Sequence, residues 1–409
     1  MSLYPPPAAG YNGISAGLFP FEVMNRVFME YIQIFPLYNL MGNEPTRPIV
    51  KHPMGNSNGK GLQYRVPKLM ALNYKNPIMN YDQRRGNAQQ QSVLFDSVNM
   101  DWRTFSVFEK GWDVLRLGTP VDISKYASQQ ITQTFSRNLN WDIFNCMTNV
   151  AYPALTTGSA ATGNVAGNYP SYDRVVIPVV AANSFVTRAN YQANATFPTL
   201  LNNFQTSAAT TPAGTGLSTG HLEALKQMAE RGNAADIAPK TEAAIEPAFV
   251  RSKAGYAMNK YIYLCHPQTL ASLFADPLFA NSTFNRGTVI DAENQPQTLN
   301  GADYIGEYRG IAIYSCRDLF EYSIKSQDGA KQAAWNIFMG AGAVSLGWDS
   351  VPKVGVELDN LEQIMTTYSH EIRGQKMLQF ASSYAQTVGA VAGSNPYVEQ
   401  GIIHSFVSF

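Results

Sequence analysis

The sequence predicts an α+β chain in which one long helix anchors separate β-rich regions. Three observations carry this reading. Residues 119–150 repeat their apolar positions at the helical period. Two stretches, after Lys60 and before Thr104, alternate with period two. From Tyr261 onward, short strand-like runs alternate with helical ones.

The helix is the clearest element. Thr119 is a cap candidate, Pro120 suits the first turn, and Asp122 can reach back to the cap. Ile123, Ala127, Ile131, Phe135, Leu139, Ile143, Cys146, Met147 and Val150 follow at steps of three and four, with no Gly or Pro before Pro153. At the α-helical rise the segment would extend roughly 45 Å. It is a core helix of a large domain, a strut in a flat plate, or a coiled-coil arm. Drift from a strict heptad makes the coiled coil the weakest of the three.

The other elements follow in order. Residues 1–20 are rich in Pro and Gly, a composition that does not order alone. They read as an arm tied down by a neighbouring subunit. Residues 21–40 show mixed helical spacing, ending near Pro36. Leu62, Tyr64 and Val66 face one way and Gln63 and Arg65 the other; Val98, Met100, Trp102 and Thr104 alternate with Asn99, Asp101 and Arg103. About thirty residues rich in Asn, Gln, Tyr and Arg separate these strands, too many for a structureless loop, so a projecting two-stranded arm is expected. Such a hairpin is marginal in water and needs a surface to lie on. Residues 153–220, dominated by Ala, Thr, Gly and Asn, read as an inserted loop-rich subdomain with one strand at 174–180. A short amphipathic helix is predicted over Thr219–Arg231, stopped by Gly232. Strands are predicted at 261–265, 311–315 and 335–339, with a helix at 268–274 and turns at 306–310 and 340–343. Alternation resumes at 354–357 and 364–369, and a last helix is predicted over 375–391 with Met377, Phe380, Tyr384 and Val388 on one face. No internal repeat is present, which excludes a solenoid or propeller.

Composition narrows the function classes. Net charge is +0 and 45% of the 409 residues are hydrophobic, so a large core is available and no basic face is offered to nucleic acid or anionic membrane. Charged residues make up 15% and aromatics 12%. Surfaces that meet protein are depleted in Lys, Glu and Asp and enriched in aromatics. Asn, Gln, Ser and Thr doing the solvating of an ordinary protein is the alternative. Cys146, Cys265 and Cys316 are far apart, without a CxxC or Cys/His cluster, and read as small buried residues in a reducing setting. No basic n-region and no apolar run of 18 residues occurs, so neither a signal peptide nor a membrane span is expected; cytosolic synthesis is.

Chemical motifs are absent. Residues 55–61 resemble a phosphate loop but are one residue short and lack the Ser or Thr after Lys60. Gly340 and Gly342 follow a strand without the third glycine or the helix of a dinucleotide site. His52, His221, His266, His370 and His404 fall in no ligand spacing; His266 before Pro267 reads as a helix-entry residue. His370 and Glu371 read as a solvated pair, and Asp349, Glu357, Asp359 and Glu362 as solvated loops or interface charges. No catalytic, cofactor-binding or metal-binding residue is assigned, and no enzyme is expected.

The order of the pieces does resemble a known family. An N-terminal arm, a long hairpin, one long helix, the strand and His-Pro run at 261–267 with its helix, and the late strands at 306–315 and 335–343 are similar to the major capsid proteins of tailed bacteriophages. The likeness is greatest to podovirus-like coat proteins, and covers about 45–150 and 255–380. The resemblance implies a Hong Kong 97-type capsid fold with N-terminal arm, extended β-hairpin loop, peripheral domain with long spine helix, and axial α/β domain. It places the arm at 1–45, the hairpin and peripheral strands at 46–110, and the spine helix at 111–153. The axial domain falls at 154–350 with the insertion at about 154–220, and the return strands with a C-terminal helix or arm at 351–409.

The resemblance also implies a function: self-assembly into the hexamers and pentamers of an icosahedral head shell around double-stranded DNA, held by confinement. Tyr64, Arg65, Lys68, Tyr74, Arg84 and Arg85 are the candidates for hairpin contacts between subunits. Partners would be copies of the chain, a portal, a separate scaffolding protein and a decoration protein, with no membrane and no cofactor. The spine helix begins too early for a fused scaffolding segment, and no Lys–Asn cross-linking pair can be assigned from Lys60, Lys68 or Lys75. Two rival readings stay open: an encapsulin-like compartment, and a β-rich hydrolase or glycan-binding enzyme.

Overall fold

A computed structural model describes residues 37–52, 63–69, 93–110, 123–148, 175–178, 185–186, 216–231, 245–251, 257–280, 302–322, 324–325, 332–358, 364–381, 397–399 and 401–408. The first strands are β1 Met41–Gly42, β2 Ile49–His52, β3 Gln63–Leu69, β4 Val93–Asn99 and β5 Asp101–Lys110. The long helix α1 is Ile123–Thr148, 26 residues. Strands β6 Val175–Pro178 and β7 Phe185–Val186 precede α2 Thr219–Arg231. Strands β8 Ala248–Arg251 and β9 Ala257–Cys265 lead into α3 Leu270–Ala275. Next come β10 Ala302–Tyr308, β11 Ile311–Cys316, β12 Ile324–Lys325, β13 Gln332–Met339, β14 Val344–Leu358 and β15 Ile364–Met377. The chain closes with β16 Gln379–Ala381, β17 Tyr397–Glu399 and β18 Ile402–Ser408.

Two mixed sheets organise these elements. The first runs β1-β2-β14-β15-β5, with the long antiparallel pair β14–β15 at its centre. The second runs β10-β11-β9-β13-β18-β6-β7, with β8 on β9 and β12 on β13. The turn between β10 and β11 is tight: Arg309 and Gly310 both adopt positive φ, at 46° and 85°, the primed-turn geometry that matches strand twist. Gly310 therefore suits its position, and residues 306–308, expected as part of the turn, belong to β10.

One apolar cluster fills the space between the sheets and around α1. It contains Ile131, Phe135, Leu139, Ile143, Phe144 and Met147 of the helix, Leu346 and Trp348 of β14, and Ile262, Leu264, Trp335, Ile337 and Phe406 of the second sheet. The opposite face of the second sheet, with Tyr263, Ile313, Phe338 and Val407, packs under Leu222, Leu225 and Met228 of α2. Adjacent residues such as Tyr263 and Leu264 thus enter different clusters, as strand alternation requires. Both faces of this sheet are covered, which is why its strands read as continuous apolar runs.

Several expectations change. The described helix covers 123–148 of the predicted 119–150, and its proposed start signal lies outside the described residues, as do the predicted arm at 1–20 and most of the helix at 21–40. The predicted 98–104 run divides at Met100: Val98 and Asn99 end β4, which pairs with β3, while Asp101–Thr104 begin β5, which joins the first sheet beside β15. The predicted C-terminal helix fails over 375–381. There the chain completes β15 and forms β16, paired with β17, and residues 382–391 lie outside the described set. Met377 and Leu378 enter different clusters, as neighbouring residues of an extended chain do. α2 and the entry turn at His266 match expectation; the His266 ring accepts from the Gln268 amide at 3.2 Å.

Candidate functional site

The surfaces available for assembly follow from how the hairpin root is seated. β3 and β4 form a ribbon laid over the first sheet. Its inner face carries Tyr64, Val66 and Val98, which pack on Leu378 in a small separate cluster. The floor beneath is made of small residues. Tyr64 lies above Gly347, its hydroxyl 2.9 Å from the Ser345 hydroxyl, and the Asn99 carbonyl lies above Gly374. A clasp closes the seat: Lys376 Nζ reaches Asp96 Oδ1 at 2.6 Å and donates to the Ser97 carbonyl at 3.2 Å.

This seating sorts the candidate contact residues. Tyr64 is turned inward, half-buried, and its hydroxyl is committed within the chain; burial pushes its ionisation well up, although the Ser345 bond opposes the shift. Arg65 is exposed on the outer face of the ribbon, beside exposed Pro67 and Phe95, the last 60% exposed. Lys68 has a described backbone in β3. Tyr74, Arg84 and Arg85 lie outside the described residues. Of the described candidates, Tyr64 and Arg65 thus sit on opposite faces of the ribbon.

Sequence reasoning missed two features. The first is an aromatic ladder on the sheet face away from α1. Trp102, 60% exposed, stacks on His370 with centroids 4.7 Å apart and planes 8° apart; Tyr368 lies beyond His370. The period-two pattern around Trp102 was visible, but not which face would be covered. The second is a buried ionic cluster under α1. Asp142 lies between Arg103 of β5, at 2.8 Å, and Arg373 of β15. Arg373 also pairs with Glu371 at 2.8 Å, and Trp348 donates to the other Glu371 oxygen at 3.2 Å. Asn138 accepts from Arg373 at 2.8 Å. Glu371 is wholly buried, which corrects the solvated His370–Glu371 pair: neighbours in a strand face opposite sides, so only His370 reaches the open face. Burial raises the carboxyls of both Glu371 and Asp142 despite the guanidiniums beside them.

One arrangement carries the residue types of nucleophilic catalysis. His221 Nε2 lies 2.6 Å from Ser405 Oγ, which is also 3.1 Å from the Tyr263 hydroxyl. His221 and Tyr263 show no exposure, nor does Ser405, and burial drops the His221 ring to about 3. The Ser405 hydroxyl is wholly buried, and its contact with His221 joins α2 to β18 inside the chain. Among the described residues, no group of His, Cys, Asp and Glu is arranged to hold a metal ion.

No protein-family model matches the sequence, and no curated protein sequence is significantly similar to it. Solved structures do match. The capsid of cyanophage Pam1 superposes with a TM-score of 0.60 at 15% identity, covering 92% of each chain. The capsid of Ralstonia phage GP4 gives 0.59 at 15% identity, over 90% of this chain and 89% of that one. The acid-stable capsid of Helicobacter pylori bacteriophage KHP30 gives 0.58 at 12% identity, over 92% and 91%. The chain has the fold of a phage capsid subunit. Within this capsid fold the exposed large side chains include Phe95 on the outer ribbon face beside Arg65, Trp102 of the ladder, Trp141 on the open side of α1, and Phe274 and Leu278 in and just after α3.

Proposed function

We propose that this chain is the major capsid protein of a tailed phage, a structural subunit that self-assembles into an icosahedral head shell enclosing double-stranded DNA. The observation that carries the proposal is full-length agreement in fold with three phage capsid chains, about 90% of both partners in each case. In a Hong Kong 97-type reading, the first sheet with α1 is the peripheral domain and α1 its spine. The second sheet with α2 and α3 is the axial domain, drawn from 154–350 and completed by β18 from the 351–409 segment first assigned to the peripheral return strands, and β3–β4 is the root of the extended loop. The mechanism is geometric rather than catalytic. Copies meet through the hairpin and the N-terminal arm while axial domains close hexamers and pentamers, in the virion after synthesis in the host cytoplasm. Arg65, with Lys68, Tyr74, Arg84 and Arg85, remains the proposed contact set, and Tyr64 is reassigned to seating the ribbon. Portal, scaffolding and decoration proteins are proposed partners. Net charge of zero suits a wall that confines DNA rather than binding it, since each phosphate contact would make the wall grip DNA in a salt-dependent way.

Electron microscopy of the purified full-length chain tests this directly. Closed shells of uniform diameter are expected; a monodisperse monomer under all assembly conditions refutes the proposal. Nucleic acid within particles recovered from the native source separates a phage head from an encapsulin-like compartment.

A further inference from the structure

We propose that α1 is pinned to both sheets by directional polar contacts, and that these pins set the angle between the sheets. The rows of the helix make the case. At 3.6 residues per turn, Ile131, Phe135, Leu139 and Ile143 form one apolar row. Asn138 and Asp142 flank it on one side, and Thr132, Ser136 and Asn140 on the other; all except half-buried Asn138 are buried. The first flank engages the first sheet through Arg103 and Arg373, on adjacent strands β5 and β15. The second flank engages the second sheet, where Asn140 Nδ2 donates to Asp318 Oδ2 at 2.5 Å, in the turn Arg317–Tyr322 that directly follows β11.

Apolar burial is non-directional and specifies the helix's rotation and position less sharply than polar contacts do. Hydrogen bonds to charged groups are short and aligned, so they select one orientation. Asp142 must meet two guanidiniums at once, and a turn of the helix by one residue removes both. The cluster holds two carboxylates and two guanidiniums, hence no net charge. Such clusters add little stability over an apolar replacement of similar volume. At both carboxyls burial opposes the guanidiniums' pull, in keeping with a cluster that costs desolvation to form. What it supplies is a fixed pose. If the chain is a shell subunit, as proposed above, the angle between sheets sets shell curvature.

The test replaces the cluster with apolar residues: Arg103→Met, Asp142→Leu, Glu371→Leu and Arg373→Met in the full chain, with Asn140→Leu as a separate variant. Spin labels at Ser106→Cys on β5 and Asp303→Cys on β10, both exposed, report the inter-sheet distance on the unassembled chain. The expected result is an unchanged or higher thermal midpoint in the quadruple variant, a modestly lower one in Asn140→Leu because Asp318 loses its donor, and a broadened distance distribution in both. An unchanged distribution overturns the proposal. So does a quadruple variant that fails to fold, because the cluster would then be a stability element. Particle diameter is measured in parallel. Uniform wild-type shells beside variants of mixed diameter link the pins to curvature. Absence of shells from the wild-type chain counts against the shell reading, while the distance measurement still decides the pins.

Discussion

Gly374→Ala should unseat the hairpin root. A Cβ at Gly374 would sit 2.4 Å from the Asn99 carbonyl oxygen, 3.1 Å from its carbon and 3.2 Å from Met100 Cγ. Real Cβ atoms do not approach within 3.0 Å, so the backbone must give by at least the difference, 3.0 − 2.4 = 0.6 Å. The obstacle is a carbonyl at the corner where β4 hands over to β5, and it cannot rotate away. Overpacking of this kind costs about 1–3 kcal/mol. Gly355→Ala is the matched control. Its Cβ would meet Tyr368 Cζ at 2.5 Å, an equally severe overlap, but with the far end of a ring that can swing aside. Denaturant unfolding of the full chain should show Gly374→Ala less stable by that amount and Gly355→Ala within about 0.5 kcal/mol of wild type. Hydrogen exchange should localise the loss to Gln63–Leu69 and Val93–Asn99 while β14 and β15 keep their protection. Equal stability of the two variants, with unchanged exchange in the ribbon, would refute the idea that small floor residues seat the hairpin.

Further expectations concern the helix, the ionic cluster, the cap of α2 and the arm. Leu139→Pro should cost at least about 3 kcal/mol from the helix ladder alone and abolish assembly; unchanged circular dichroism and intact particles would count against α1 as the spine. Burial, the leading cause, raises Glu371 above its ordinary 4.5 against the pull of Arg373, so the folded chain holds that proton more tightly than the unfolded chain. Its contribution to stability therefore grows as pH falls from the raised value towards 4.5, and Glu371→Gln should flatten that slope in pH-dependent unfolding. Asp276 behaves oppositely. Burial tends to raise it, but bonds from Thr219 N and Oγ1 and from Leu278 N outweigh this and lower it, so its contribution is present above the ordinary range and lost on acidification. Asp276→Ala should cost about 1 kcal/mol as a lost cap of α2, less at low pH, by thermal unfolding at several pH values. Deleting residues 72–91 should leave soluble chain that makes no shells; intact particles from that deletion would remove the arm's assembly role.

The elements that were legible are those whose environment is uniform along their length. In α1 the apolar positions from Ile131 to Met147 all enter one cluster, so the 3.6 period survived in the sequence. α2 covers one sheet face and leaves the other side open, and its predicted bounds coincide with Thr219–Arg231. Strand 261–265 read as apolar because both its faces are covered. Where burial comes from two different partners the pattern is lost. Met377 faces the main core and Leu378 the ribbon, and with Phe380 three residues on the run mimicked a helix. The ionic cluster had no sequence signature at all. Arg373 and Asp142 are 231 positions apart, and only the docking of α1 across β5 and β15 brings them together. Glu371 beside His370 looked like any exposed pair, since nothing local tells which face of a strand a helix will cover.

The hairpin seat bears on why such a chain would assemble. Its inner face rests on a satellite cluster of Val66, Val98 and Leu378 with Tyr64, separate from the core that holds the two sheets together. Among the described residues it is further fastened by the Tyr64–Ser345 hydroxyl contact and by the Lys376–Asp96 clasp, whose lysine is 40% exposed and is thus open to screening by salt. A two-stranded ribbon is marginal on its own in water. Here it carries exposed Phe95, Pro67 and Arg65 on its outer face. A ribbon fastened so lightly below, with a large aromatic side chain uncovered above, gains more from a second surface on top than a deeply cored element would. Assembly should therefore stabilise this ribbon more than either sheet. Hydrogen exchange of unassembled chain against closed shells reads that difference directly: the largest gain in protection is expected in β3 and β4. A gain confined to β14 and β15 would place the contact elsewhere.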